Sequence, residues 1–202
     1  MKIIKKYLRR KNDIRMREDK EDLKEECEVI MNNYPIPTHL KNIFEIDENE
    51  SNNYAISGKI VCNCGCNKFK LYHNMNREYN HSVPYSEQEG LKILIRCIEC
   101  EKEHLLFDQA TQGYDGFVCH DLVSANNAHL ELFQCESCMS EAFIIKVDIE
   151  AEDLEQFIEE CVTEFPEEFS PEDYVDAFNW IVITLTCNEC NEIIELVNLE
   201  LS

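Results

Sequence analysis

Short apolar runs recur in pairs along the second two thirds of the chain, and each pair is wrapped around cysteines. Lys59–Val61 with Phe69–Leu71, and Lys92–Ile95 with His104–Phe107, make a first group. Leu130–Phe133 with Phe143–Ile145, and Ile181–Leu185 with Ile193–Val197, make a second. Branched and aromatic side chains favour strands, and each gap is short enough for a hairpin, so the pattern predicts four antiparallel pairs laid out as an internal duplication.

Helical periodicity occupies other stretches. Leu23, Cys27, Ile30 and Met31 fall on one face and predict a helix over residues 18–33. Pro35 and Pro37 remove amide donors, which makes Tyr34–Thr38 a boundary. Leu154, Phe157, Ile158, Cys161, Val162 and Phe165 share a face and predict an amphipathic helix inserted in the second group. Ser170 and Pro171, followed by Glu172 and Asp173, read as the cap and first turn of a further short helix reaching about Phe178. The stretch Tyr72–Gly90 follows neither period. The expectation is an α+β chain: a basic N-terminal helical arm over 1–35, a first hairpin unit over 36–125, and a second unit with a helical insertion over 126–202.

Charge sharpens this division. Of 202 residues, 19 are basic and 41 acidic, a formal charge of −22, yet residues 1–24 hold 10 of the basic side chains. From Val147 to Ser202 there are 17 acids and no Lys or Arg. An acidic body argues against a nucleic-acid backbone as the general partner and leaves only the arm for such a role. The apolar run Trp180–Leu185 is far below the roughly 20 residues of a bilayer span. The basic start lacks the apolar core of a secretory signal, so a cytoplasmic location is expected. There, twelve cysteines point to metal or redox chemistry and not to disulfides.

Nine of those cysteines cluster. Cys97/Cys100, Cys135/Cys138 and Cys187/Cys190 are C-x-x-C pairs, and Cys62, Cys64 and Cys66 form a compressed fourth group. A C-x-x-C turn brings two thiolates to one point, and two such turns supply a four-sulfur shell of the kind zinc takes in structural sites. The duplication pairs the first cluster with Cys97 and Cys100, and Cys135 and Cys138 with Cys187 and Cys190. Alternating knuckles and strands over residues 55–200 resemble the zinc-ribbon (rubredoxin-like) fold group, twice in tandem, which implies two zinc ions per chain and leaves activity open. Within the first cluster, glycine suits the position after a second ligand, and Phe69 lies five residues after Cys64 as Phe143 lies five after Cys138. These observations favour Cys62 and Cys64, with pairs involving Cys66 as the alternative. Iron is the alternative to zinc. Cys27 and Cys161 read as buried thiols, Cys119 beside His120 as neither ligand nor reactive site, and His104 as a surface residue at a strand start.

Nucleotide-binding, metalloprotease and hydrolase motifs are missing, and cysteine-only sets are closed shells without an open catalytic position. The expected function is therefore non-enzymatic: a zinc-binding protein whose acidic surface engages a protein partner, a basic one by charge, in the manner of an immunity or antitoxin inhibitor. Transcription or nucleic-acid association through the arm, and a zinc-thiolate redox sensor, are the competing classes.

Overall fold

The computed structural model describes residues 34–75, 88–120 and 122–201. The N-terminal helix expected over 18–33 lies outside the described residues. Among the described residues nine strands form one sheet: β1 (Phe44–Ile46), β2 (Ala55–Ile60), β3 (Phe69–His73), β4 (Lys92–Cys97), β5 (Glu103–Asp108), β6 (Glu131–Leu132), β7 (Phe143–Glu150), β8 (Trp180–Cys187) and β9 (Ile193–Glu200). Every ladder between them is antiparallel. The chain is thus mixed, with mostly antiparallel strands and few helical turns, as the α+β expectation had it.

Two of the four expected hairpins form, β4 with β5 and β8 with β9. The other two are corrected. Lys59–Val61 does not pair with Phe69–Leu71; instead β2 pairs with β7, Ala55 opposite Glu150 through Lys59 opposite Lys146. Leu130–Phe133 does not pair with Phe143–Ile145; instead β6 pairs with β3, Tyr72 opposite Leu132. The strand that enters the first knuckle of each unit, β2 or β6, is therefore hydrogen-bonded to the strand that leaves the first knuckle of the other unit. After Cys62 N–H donates to the Cys66 carbonyl at 2.8 Å, the strands on either side take other neighbours. Their remaining backbone groups must pair elsewhere, and the reciprocal exchange satisfies both.

The two halves meet at Phe69, which is paired with Phe143. Phe69 is also opposite Cys97, and Phe143 opposite Cys187. One row, Cys97–Phe69–Phe143–Cys187, thus crosses four strands, a span of about 14 Å at the usual strand spacing. All four residues are buried and belong to the main core, together with Leu71, Ile93, Ile95, Ile145, Val147, Ile183 and Leu185. Strict alternation along β7 and β8 sends these side chains inward and leaves Lys146, Asp148, Val182 and Thr184 on the other face. Each fully buried aliphatic or aromatic side chain contributes about 1.5–3 kcal/mol.

The insertion forms a smaller core. Asp153 caps α1 (Leu154–Phe157), its carboxylate accepting from Gln156 N–H at 3.0 Å. The helix then widens to a π turn over Ile158–Val162, where Thr163 N–H donates to the Ile158 carbonyl at 2.9 Å. Leu154, Phe157, Cys161 and Val162 are buried as expected, against Tyr174, Val175 and Ala177. Phe165 departs from the expected face and is exposed, because the extra residue in the wide turn shifts the helical phase. Ser170 and Asp173 form the expected cap, Ser170 N–H and Oγ–H both donating to the Asp173 carboxylate at 2.8 Å. The turn ends at Asp176, short of Phe178, since Ala177 and Phe178 are drawn fully into the interior.

Candidate metal centres

Four knuckles carry the cysteines, and three are built alike. The N–H of the first cysteine donates to the carbonyl five residues on: Cys97 to Lys102 (3.0 Å), Cys135 to Ser140 (2.9 Å) and Cys187 to Glu192 (2.9 Å). The residue four places on donates back to the first cysteine's carbonyl and takes a left-handed conformation, at Glu101 (φ 58°), Met139 (φ 61°) and Asn191 (φ 59°). The fourth knuckle is the same turn with one residue removed. Gly65 N–H donates to the Cys62 carbonyl at 2.7 Å, Gly65 has φ 88°, and Cys62 N–H closes on Cys66. Glycine after Cys64 thus has the conformational role expected of it.

These turns bring the eight candidate cysteines into two groups, Cys62, Cys64, Cys97 and Cys100, and Cys135, Cys138, Cys187 and Cys190, the sulfurs of each all within 4.8 Å of one another. The first cysteine of every knuckle is buried at a strand end and the second is exposed. Contacts run crosswise, Cys62 to Cys100 and Cys64 to Cys97 at 3.5 Å, Cys135 to Cys190 at 3.6 Å and Cys138 to Cys187 at 3.5 Å. Such separations are well beyond the roughly 2.05 Å of a disulfide. A tetrahedron of sulfurs about 2.3 Å from a central zinc has edges of about 3.8 Å, so both groups suit a tetrahedral thiophilic metal. Cys66 lies outside the first group, and Cys161 is buried in the insertion.

Amide donors set the electrostatics. At Cys97 burial works upward, but the N–H groups of Cys100 and Glu99 and the neighbouring sulfurs outweigh it and bring the thiol down to about 6. Cys187 is likewise lowered to about 6, first by the Cys190 N–H and then by Glu189 N–H, against burial. Cys64 goes the other way: the Cys66 N–H favours its thiolate, yet burial and the sulfurs of Cys97, Cys100 and Cys62 push it up to about 12. Burial raises Cys62, and the Glu192 carboxylate with burial raises Cys135. In each centre one sulfur ionises readily while others keep their protons until a cation supplies the compensating charge.

Two neighbours escape a reading of spacing alone. His104, expected on the surface, is half-buried with Nε2 3.6 Å from Cys62 Sγ. Glu192 places Oε2 3.1 Å from Cys135 Sγ. The crosswise folding of knuckles brings His104, in β5, and Glu192, in the Cys187 knuckle, up to a sulfur of the facing knuckle, which no local motif encodes. Among the described residues no helix is long and apolar enough to cross a membrane. Comparison of the chain with protein-family models, curated proteins and solved structures finds no match in any of the three.

Proposed function

We propose that the chain is a tandem zinc-ribbon protein that holds two structural zinc ions and carries no catalytic chemistry of its own. The observation behind this reading is the pair of closed four-sulfur groups, each with amide N–H groups aimed at its sulfurs. Thiolate-rich sets of this kind suit zinc among the common cytosolic metals, and zinc bound there contributes on the order of 10 kcal/mol or more per site to folding. Native mass spectrometry of gently purified protein tests the proposal: two zinc ions per chain are expected, and a strong chelator should unfold the protein. Iron in their place, or a folded chain without metal, refutes it.

Beyond the scaffold, the reading assigns the acidic surface to a basic protein partner, as an inhibitor of immunity or antitoxin type would require. The support is a row on the outer side of the sheet where Trp180 stands between Glu150 and Glu200 on the neighbouring strands, all three exposed. Neither carboxylate forms an ion pair among the described residues. An aromatic face between two carboxylates suits an arginine side chain. Trp180 is the only tryptophan, so its fluorescence reports directly on an added arginine-rich peptide. Salt-sensitive quenching is expected, and absence of any binding at low salt counts against a basic partner.

A further inference from the structure

The acids of the C-terminal stretch are almost without counter-charge. Of the 17 between Val147 and Ser202, Asp148 alone forms an ion pair among the described residues, with Lys146. Lys146 is itself shared with Glu50. Caps within the insertion order Asp153 and Asp173 but supply no positive charge. On the outer side of the sheet, the Glu150–Trp180–Glu200 strip crosses the ends of β7, β8 and β9. Seven residues of β8 separate Trp180 from Cys187, about 23 Å at the usual strand rise, so the strip stands well away from the second metal centre.

A compensating charge is tethered near the same end of the sheet. Thr38 N–H donates to Asp176 Oδ1 at 2.8 Å, and Asp176 lies four residues before Trp180. Tyr34, where the first described segment begins, lies four residues before Thr38. Four residues reach at most about 14 Å, so Tyr34 and Trp180 are within about 35 Å of one another. Ahead of Tyr34, residues 1–17 hold eight basic side chains against one acid, and Arg9, Arg10, Arg15 and Arg17 are four of the chain's six arginines. The sixteen residues between, 18–33, allow a span of up to about 53 Å, enough to bring the basic stretch back to the strip.

We propose that the basic stretch over residues 1–17 docks on the Glu150–Trp180–Glu200 strip of its own chain, so that a basic partner binds by displacing it. The inference rests on the acidic-surface reading above. Arginine suits the strip because its guanidinium stacks on an indole and forks onto carboxylates. The tether keeps the stretch beside the strip, so contacts too weak to hold a free peptide suffice. Where the arm covers about nine tenths of the molecules, a competitor meets only a tenth of the strips, and removing the arm tightens its binding about tenfold.

Acrylamide quenching of Trp180 in the full chain tests this, with two variants for comparison. One combines Arg9→Gln, Arg10→Gln, Arg15→Gln and Arg17→Gln; the other combines Glu150→Gln with Glu200→Gln. An unchanged metal count in native mass spectra shows that each variant keeps its fold. At low salt Trp180 of the unaltered chain should be shielded to the same degree at every protein concentration, and high salt or either variant should expose it. A synthetic peptide of residues 1–17 should restore shielding to the arginine variant, which should bind an oligoarginine peptide about tenfold more tightly than the unaltered chain. Equal quenching of all three proteins overturns the proposal, as does shielding that grows with protein concentration, which would mark docking on a second copy. If oligoarginine binds the unaltered chain and the arginine variant alike, the arm is not the occupant and the basic-partner reading stands. If it binds neither, that reading falls and the docked arm with it.

Discussion

Phe143→Ala strikes the row that joins the two centres. Phe143 is fully buried, is paired with Phe69 and with Cys187, and makes an edge-on contact with Phe133 at 5.3 Å between centroids. Removing a buried phenylalanine from a packed core costs about 3–5 kcal/mol, of which the aromatic contact accounts for about 1 kcal/mol. Phe69→Ala should cost a similar amount for the same reason. The two side chains are direct cross-strand neighbours, so the double variant should depart from additivity by about 1 kcal/mol. Urea unfolding in zinc-buffered solution, followed by Trp180 fluorescence, measures all three. A chelator titration adds the decisive readout: because Phe143 backs Cys187 directly and Cys97 through Phe69, both zinc ions should leave at lower chelator concentration. An effect confined to one zinc, or strict additivity of the two substitutions, would refute the idea that the row couples the centres.

Three further outcomes follow from the geometry. Asp108 is buried, accepts from Ser124 Oγ at 2.5 Å and Ala110 N–H at 3.2 Å, and faces Lys92 Nζ at 3.4 Å; Asp108→Ala removes the counter-charge of that ammonium, which keeps Ser124 Oγ and the Ala125 carbonyl as acceptors, and should cost about 1–3 kcal/mol in denaturant unfolding. A Cβ at Gly58 would lie 2.6 Å from the Glu45 carbonyl oxygen, so Gly58→Ala should push β1 off β2 at a cost of about 1–3 kcal/mol, with faster amide exchange at Val61, whose N–H bonds the Ile43 carbonyl. Cys97 and Cys187, held at about 6 in the metal-free chain, are already thiolates above that pH and protonated below it. Zinc loading should therefore release two more protons per chain below pH 6 than above it, as calorimetry in buffers of different ionisation enthalpy would show, and a count independent of pH would contradict the lowered values.

Much of this arrangement was legible from residue spacing. Strand periodicity located β4, β5, β8 and β9, because their hairpins are local and their register is fixed by alternation. The composition of both sulfur groups followed from the duplicated order of knuckles, and the glycine after Cys64 marked the left-handed residue. Partnership of β2 and β6 was not legible, since both strands pair across more than fifty residues of sequence and nothing local records which edge they join. Phe165 escaped for a different reason: a π turn changes the helical period in mid-segment, and a 3.6-residue template cannot register that. His104 and Glu192 touch sulfurs only because knuckles meet crosswise, a tertiary fact with no signature in spacing.

The reciprocal pairing of β2 with β7 and β6 with β3 has a consequence for how such a fold can be divided. Each half lends a strand to the other, which is the arrangement of a domain-swapped dimer closed within one polypeptide. A chain cut between Asp108 and Glu131 would leave β3 and β7 each with a vacant edge that only the missing half can fill. The connecting segment sets an effective concentration for that encounter far above the protein's concentration in solution. Folding is thereby independent of dilution, and the same edges are kept from pairing with a second molecule.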